Sequence, residues 1–118
     1  MREDYPLFVH WYRTLDWILT TVEKFPRNAR FSLASRLADG ALDIMELIVE
    51  AIYTKQRLHI LEKVNLYIEK QRVLFRIAHD RRYLSTRQHE FIARALDEAG
   101  RMVGGWRKQS GEKSGKPS

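Results

Sequence analysis

Apolar side chains recur along this chain in alternating steps of three and four, the spacing that keeps one face of an α-helix turned toward a partner. The first run is Phe8, Trp11, Leu15, Ile18, Val22 and Phe25, and it predicts a helix from about Pro6 to Lys24. Phe25-Pro26 ends it, because the residue before a proline avoids the helical region. Leu33, Leu37, Ala41, Ile44, Ile48 and Ile52 predict a second helix from about Ala29 to Tyr53. Gly40 lies inside it, at a cost of roughly 1 kcal/mol relative to alanine, and its missing side chain gives room for a close helix crossing. Leu61, Val64, Ile68, Phe75 and Ala78 predict a third helix from about Thr54 to His79, interrupted by the polar Gln71. Neither glycine nor proline marks the junction between the second helix and the third. Ser85 opens the fourth. With Gln88 three residues on it forms a capping box, in which each side chain takes the other residue's amide. Ile92, Leu96, Ala99, Val103 and Trp106 follow on one face.

No stretch alternates with a period of two. Four amphipathic helices with short connections predict an all-α fold, an antiparallel up-down four-helix bundle. Residues 1–108 are expected to form this single domain. From Gln109 the chain reads QSGEKSGKPS, with no apolar residue to bury, which predicts a disordered tail over 109–118.

At 118 residues, 44% hydrophobic and 31% charged, the chain has the composition of one globular domain. The absence of cysteine excludes disulfides, thiolate metal sites and a cysteine nucleophile. No apolar run approaches the roughly 20 residues of a membrane helix. Nor do the opening residues, Met1 to Pro6, contain the apolar segment of a secretory leader. A cytoplasmic location without a membrane partner is expected.

Charge changes the picture. Twenty-one Lys+Arg against fifteen Asp+Glu leave +6, which favours a polyanionic partner. Residues 1–24 and 27–53 each carry three basic and four acidic side chains, whereas residues 55–82 carry eight basic against three acidic. Arg72 and Arg76 stand one turn apart and present two guanidinium forks on one face. His79 continues that face, and Arg81-Arg82 follow in the adjacent loop. On the fourth helix Arg87, Arg94, Arg101 and Lys108 recur every seven residues, opposite the apolar stripe. Repeated cations suit a phosphate backbone, so these eight residues are the candidate nucleic-acid contacts. A solvated face partly compensated by Glu90, Asp97 and Glu98 would give the same row. Arg72 and Arg76 flank an apolar stretch, and need a partner if they are not fully exposed.

Candidate chemistry is sparse. The four histidines, His10, His59, His79 and His89, form no Glu-x-x-His or His-Glu-x-x-His pattern, so no metal or other cofactor is expected. Arg72…His79 and Arg82…His89 match the Arg-x6-His motif that marks helical nucleases of the HEPN group, with histidine as base and arginine as phosphate clamp. That spacing is permissive in an arginine-rich chain, and a helical ribonuclease stands only as the catalytic alternative to a protein that is not an enzyme. Asp39/Asp43 and Glu46/Glu50 read as a solvated face. Trp11, Trp17, Trp106, Tyr12 and Tyr53 could stack on bases or fill the core. Trp11 fits the core stripe; Tyr12 and Trp17 fall off it, which points to a second buried surface and to self-association.

Several short segments, taken in order, carry a family resemblance. They are Phe25-Pro26-Arg27 leading into Arg30-Phe31-Ser32-Leu33 and Arg36-Leu37, then Arg72-x-x-x-Arg76-Ile77-Ala78, Tyr83-Leu84-Ser85, and Gly100-Arg101-Met102-Val103-Gly104-Gly105-Trp106. Over about residues 7–108 the chain resembles the accessory variability determinant proteins of diversity-generating retroelements. These are grouped with the four-helix-bundle proteins of ribosomal RNA intervening sequences. The resemblance implies a homopentameric ring with a basic surface that associates with the element's reverse transcriptase and with RNA or DNA. It implies a role in mutagenic copying of template RNA into cDNA, with no catalytic residue in this chain. Arg72 and Arg76 match the family's paired arginines on the third helix. The competing reading is a four-helix-bundle interaction module that touches no nucleic acid.

Overall fold

Pro6 occupies the first position of α1 (Pro6–Val22), where a helix has no acceptor for the N–H that proline lacks. A computed structural model of the chain describes residues 1–113. α1 closes in two tight turns, Lys24 N–H to the Thr21 carbonyl and Phe25 N–H to the Val22 carbonyl, both 3.1 Å. The chain then departs at Pro26, as the sequence predicts.

The second helix does not begin uniformly at Ala29. A 3-10 turn (Arg27–Ala29) and a π-helical turn (Arg30–Ala34) precede α2 (Ser35–Ile52). The buried residues explain the wide turn. Ala29 and Ala34 both reach the core but are five apart, which is the π spacing and not the α spacing. Phe31, between them, is thrown outward to 88% exposure.

The unmarked junction between α2 and α3 (Arg57–Asp80) is made by a side chain. Arg57 reaches back and donates from Nε to the Ala51 carbonyl at 2.9 Å and from Nη2 to the Ile52 carbonyl at 3.3 Å. It thereby caps the carbonyl end of α2 with a cation. Thr54 falls in the connection, where its hydroxyl accepts the Gln56 N–H at 3.1 Å, so α3 starts three residues later than the periodicity suggests.

α3 ends in a Schellman arrangement, with Tyr83 N–H on the Ala78 carbonyl and Arg82 N–H on the His79 carbonyl, each at 2.9 Å. Ser85 and Gln88 then form the expected capping box, at 3.1 Å and 2.9 Å. α4 (Thr86–Lys113) passes straight through Gly104-Gly105 and over Gln109, so the helix outruns the predicted boundary at residue 108. Trp106 holds this segment, its ring 5.0 Å from Tyr5 and 5.4 Å from the Arg57 guanidinium. The rest of the predicted tail, 114–118, lies outside the described residues.

The four helices run antiparallel in sequence order as an all-α bundle, 52 × 22 × 21 Å. Its core is the predicted stripes: Trp11, Ile18, Leu37, Ile44, Leu61, Phe75, Ile92 and Leu96 are each at most 1% exposed. Full burial of each such side chain stabilises by roughly 1.5–3 kcal/mol. Trp11 Nε1 also donates to the Ala41 carbonyl at 3.0 Å, tying α1 to α2. Trp17, off the core stripe, packs within the chain, 6.4 Å from Phe75 and 5.0 Å from Phe91; Tyr12 remains exposed. Among the described residues no helix is long and apolar enough to cross a membrane.

Candidate nucleic-acid interface

Because the helices alternate in direction, the α1–α2 and α3–α4 connections lie at the same end of the bundle. Phe25 and Tyr83 join them, ring centroids 5.6 Å apart. This end gathers Arg27 and Arg30 from one connection with Arg81 and Arg82 from the other, beside Arg76 at the close of α3 and Arg87 at the start of α4. All six are exposed. Arg81 is held in place: its Nε donates to the Tyr83 hydroxyl at 3.1 Å and its guanidinium sits 5.6 Å from that ring. Arg82 takes a positive φ of 65°, the left-handed position of the Schellman turn. None of the six has a carboxylate within ion-pair distance among the described residues.

Four of these arginines are candidates from sequence; Arg27 and Arg30 are not. Their charge is hidden in the net balance of residues 27–53, where all four acids fall later, at Asp39 and beyond. Splitting that segment at Arg36 would have exposed three arginines and no acid.

Arg72 and Arg76 share a face of α3 but not a situation. Arg72 pairs through Nε with Glu69 at 3.2 Å and through Nη1 with Asp97 of α4. Its Nη2 lies 3.2 Å from where a Cβ on Gly100 would stand, so the glycine makes room for the guanidinium in the α3–α4 seam. Arg72 is therefore a brace between helices, and the pair of outward forks expected from their spacing reduces to one. Arg76 alone projects free.

Arg87, Arg94, Arg101 and Lys108 are exposed along α4, on the side away from its buried stripe, as expected. Arg101 is tied to Glu98. The first three border a groove of about 770 Å³ between α1 and α4, to which α1 contributes His10, Arg13 and Thr14. Lys108 lies beyond it.

His79 and His89, on either side of the α3–α4 connection, stack face to face with ring centroids 4.5 Å apart and 10° between planes. His79 Nε2 is 3.3 Å from the Thr86 hydroxyl. Burial lowers the His89 pKa, and the facing His79 and nearby Arg76 act the same way against Asp80 and Glu90. Stacked rings do not straddle a cleft as a base and an acid on either side of a phosphodiester would. Arg72, the arginine of one Arg-x6-His match, is turned to Asp97 instead. Among the described residues no group of three or more His, Asp or Glu could hold a metal ion.

No curated protein matches the chain. A family model described as bAvd-like does match, over residues 8–110, which takes in α2, α3, most of α1 and α4, both basic connections and the glycine-tryptophan segment of α4. The chain belongs to the bAvd-like family, in keeping with its resemblance to the accessory variability determinant proteins.

Proposed function

We propose that this protein is a non-catalytic accessory factor of a diversity-generating retroelement, which binds nucleic acid and the element's reverse transcriptase to support mutagenic reverse transcription. Family membership supports the accessory role. The observation that carries the binding is the end of the bundle where Arg27, Arg30, Arg76, Arg81, Arg82 and Arg87 stand exposed and, among the described residues, without carboxylate partners. Each phosphate neutralised there releases counterion, so binding weakens as salt rises. A single copy offers few contacts. A homopentameric ring repeats the end in each copy, and the effective concentration of neighbouring sites converts weak contacts into avidity.

Joint charge reversal, Arg76→Glu with Arg81→Glu, tests the reading. Both side chains are outside the core, so the fold and assembly mass are expected to hold while RNA and reverse transcriptase binding are lost. Unchanged binding in a folded variant contradicts the proposal. A second reading, an interaction module that touches no nucleic acid, is favoured by one feature. Leu66, Val73 and Ile77 form an apolar line on the outer face of α3, 53%, 52% and 40% exposed. A protein partner held there would stay bound at high salt.

A further inference from the structure

The α1–α4 groove differs from the basic end in having an aromatic ring as well as cations. Phe91 is half exposed on its wall, and Trp17 backs it at 5.0 Å, itself braced on the core ring of Phe75. The phenyl ring is thus fixed from behind and open in front. The polar groups of the groove floor are already used. His10 Nε2 donates to the Ala95 carbonyl at 2.8 Å, and the Thr14 hydroxyl donates to the His10 carbonyl at 2.9 Å. Of the acids on the walls, Asp97 is bound to Arg72 and Glu98 to Arg101. What remains is Arg13, Arg87 and Arg94 against Glu90, around one ring. The volume of about 770 Å³ falls in the range of ligand clefts.

Such a site can hold phosphates by charge and a flat ring by stacking, but has few free groups with which to read hydrogen-bonding edges. We infer that the groove is a seat for single-stranded nucleic acid, with a base stacked on Phe91 and flanking phosphates on Arg13, Arg87 and Arg94. A duplex buries its base faces and cannot use the ring, whereas every unpaired base has one to offer, so recognition is tolerant of sequence. This inference rests on the nucleic-acid reading above and adds to it the strand state of the ligand and a second surface.

The test measures binding of a fluorescent oligouridine and of an RNA duplex of equal charge to the full chain, across a salt series. Phe91→Leu keeps apolar contact with Trp17 and removes the ring. It is expected to weaken oligouridine binding about fivefold or more while leaving duplex binding and the salt slope unchanged, and Phe91→Tyr is expected to restore it. Arg87→Ala with Arg94→Ala is expected to flatten the salt slope instead. Equal effects of Phe91→Leu on strand and duplex, or no effect on either, overturn the stacking seat. So does a changed assembly mass in Phe91→Leu, which would assign the ring to a contact between copies. Failure of the unaltered chain to bind either RNA at low salt overturns the underlying nucleic-acid reading along with it.

Discussion

Gly40 of α2 and Gln71 of α3 fit one another across the seam between their helices. Gln71 is 2% exposed, its Nε2 donates to the Leu37 carbonyl at 3.2 Å, and a Cβ on Gly40 would lie 2.5 Å from that nitrogen. The glycine that weakens α2 and the glutamine that interrupts the α3 stripe are one feature. Gly40→Ala gains up to about 1 kcal/mol of helix propensity but displaces a buried amide, at a cost of roughly 1–3 kcal/mol. Net destabilisation is expected in chemical denaturation. In a Gln71→Ala background the same glycine change is expected to be neutral or stabilising. Equal effects in both backgrounds contradict the coupling.

Arg72 and Asp97 predict a division of labour on α3. Arg72→Ala is expected to lower stability by up to about 1 kcal/mol, since the pair is partly exposed and screened, with little effect on nucleic-acid affinity. Arg76→Ala is expected to do the reverse. Exchange of charges, Arg72→Glu with Asp97→Arg, is expected to recover part of the lost stability in thermal melts; a further drop contradicts the brace.

Periodicity alone was enough to place the four stripes, because each helix of a bundle must bury one face whatever its neighbours are. Trp11, Leu37 and Ile92 needed no partner named to be assigned inward. The π turn at Arg30–Ala34 was not legible, since it is imposed by where Ala29 and Ala34 meet the core and not by local propensity. Arg72 could not be separated from Arg76 in the sequence, because Asp97, which distinguishes them, is on another helix. Phe91 was passed over for the same reason: its value lies in Trp17 behind it and Arg13 across the groove. The basic end depends on Arg27 and Arg30 arriving beside Arg81 through the Phe25–Tyr83 contact, a tertiary event.

Arg82 sits where glycine usually closes a Schellman turn. Its φ of 65° brings Cβ close to backbone, costing about 1 kcal/mol. Arg82→Gly is expected to raise the melting temperature by about 4 °C while removing one cation from the basic end. Arg82→Ala keeps the β-carbon and is expected to give no such gain. A stabilisation shared by both variants would trace to charge, contradicting the backbone account.

The stacked histidines predict a dependence on pH with a definite sign. His89 holds its proton less tightly in the folded chain than at the ordinary value of about 6.5. The unfolded chain therefore binds more protons just below that value, and stability rises with pH through the window. Stability present above pH about 6.5 is lost as pH falls through the folded value. Urea midpoints at about pH 5 and about pH 8 are expected to differ less in His89→Gln than in the unaltered protein. By proton NMR, His79→Gln is expected to move the His89 titration back toward the ordinary value; an unmoved titration contradicts the stacking contribution.

On the proposed function, exposed arginines at one end of the bundle hold nucleic acid by charge, on an assembly that repeats them. Light scattering of the purified protein across a salt series, with and without a short RNA, tests it most directly. The expected result is the mass of a homopentamer that takes up RNA at low salt and sheds it as salt rises, with uptake abolished by Arg76→Glu with Arg81→Glu. A monomer or dimer whose mass is indifferent to RNA at every salt concentration would contradict it.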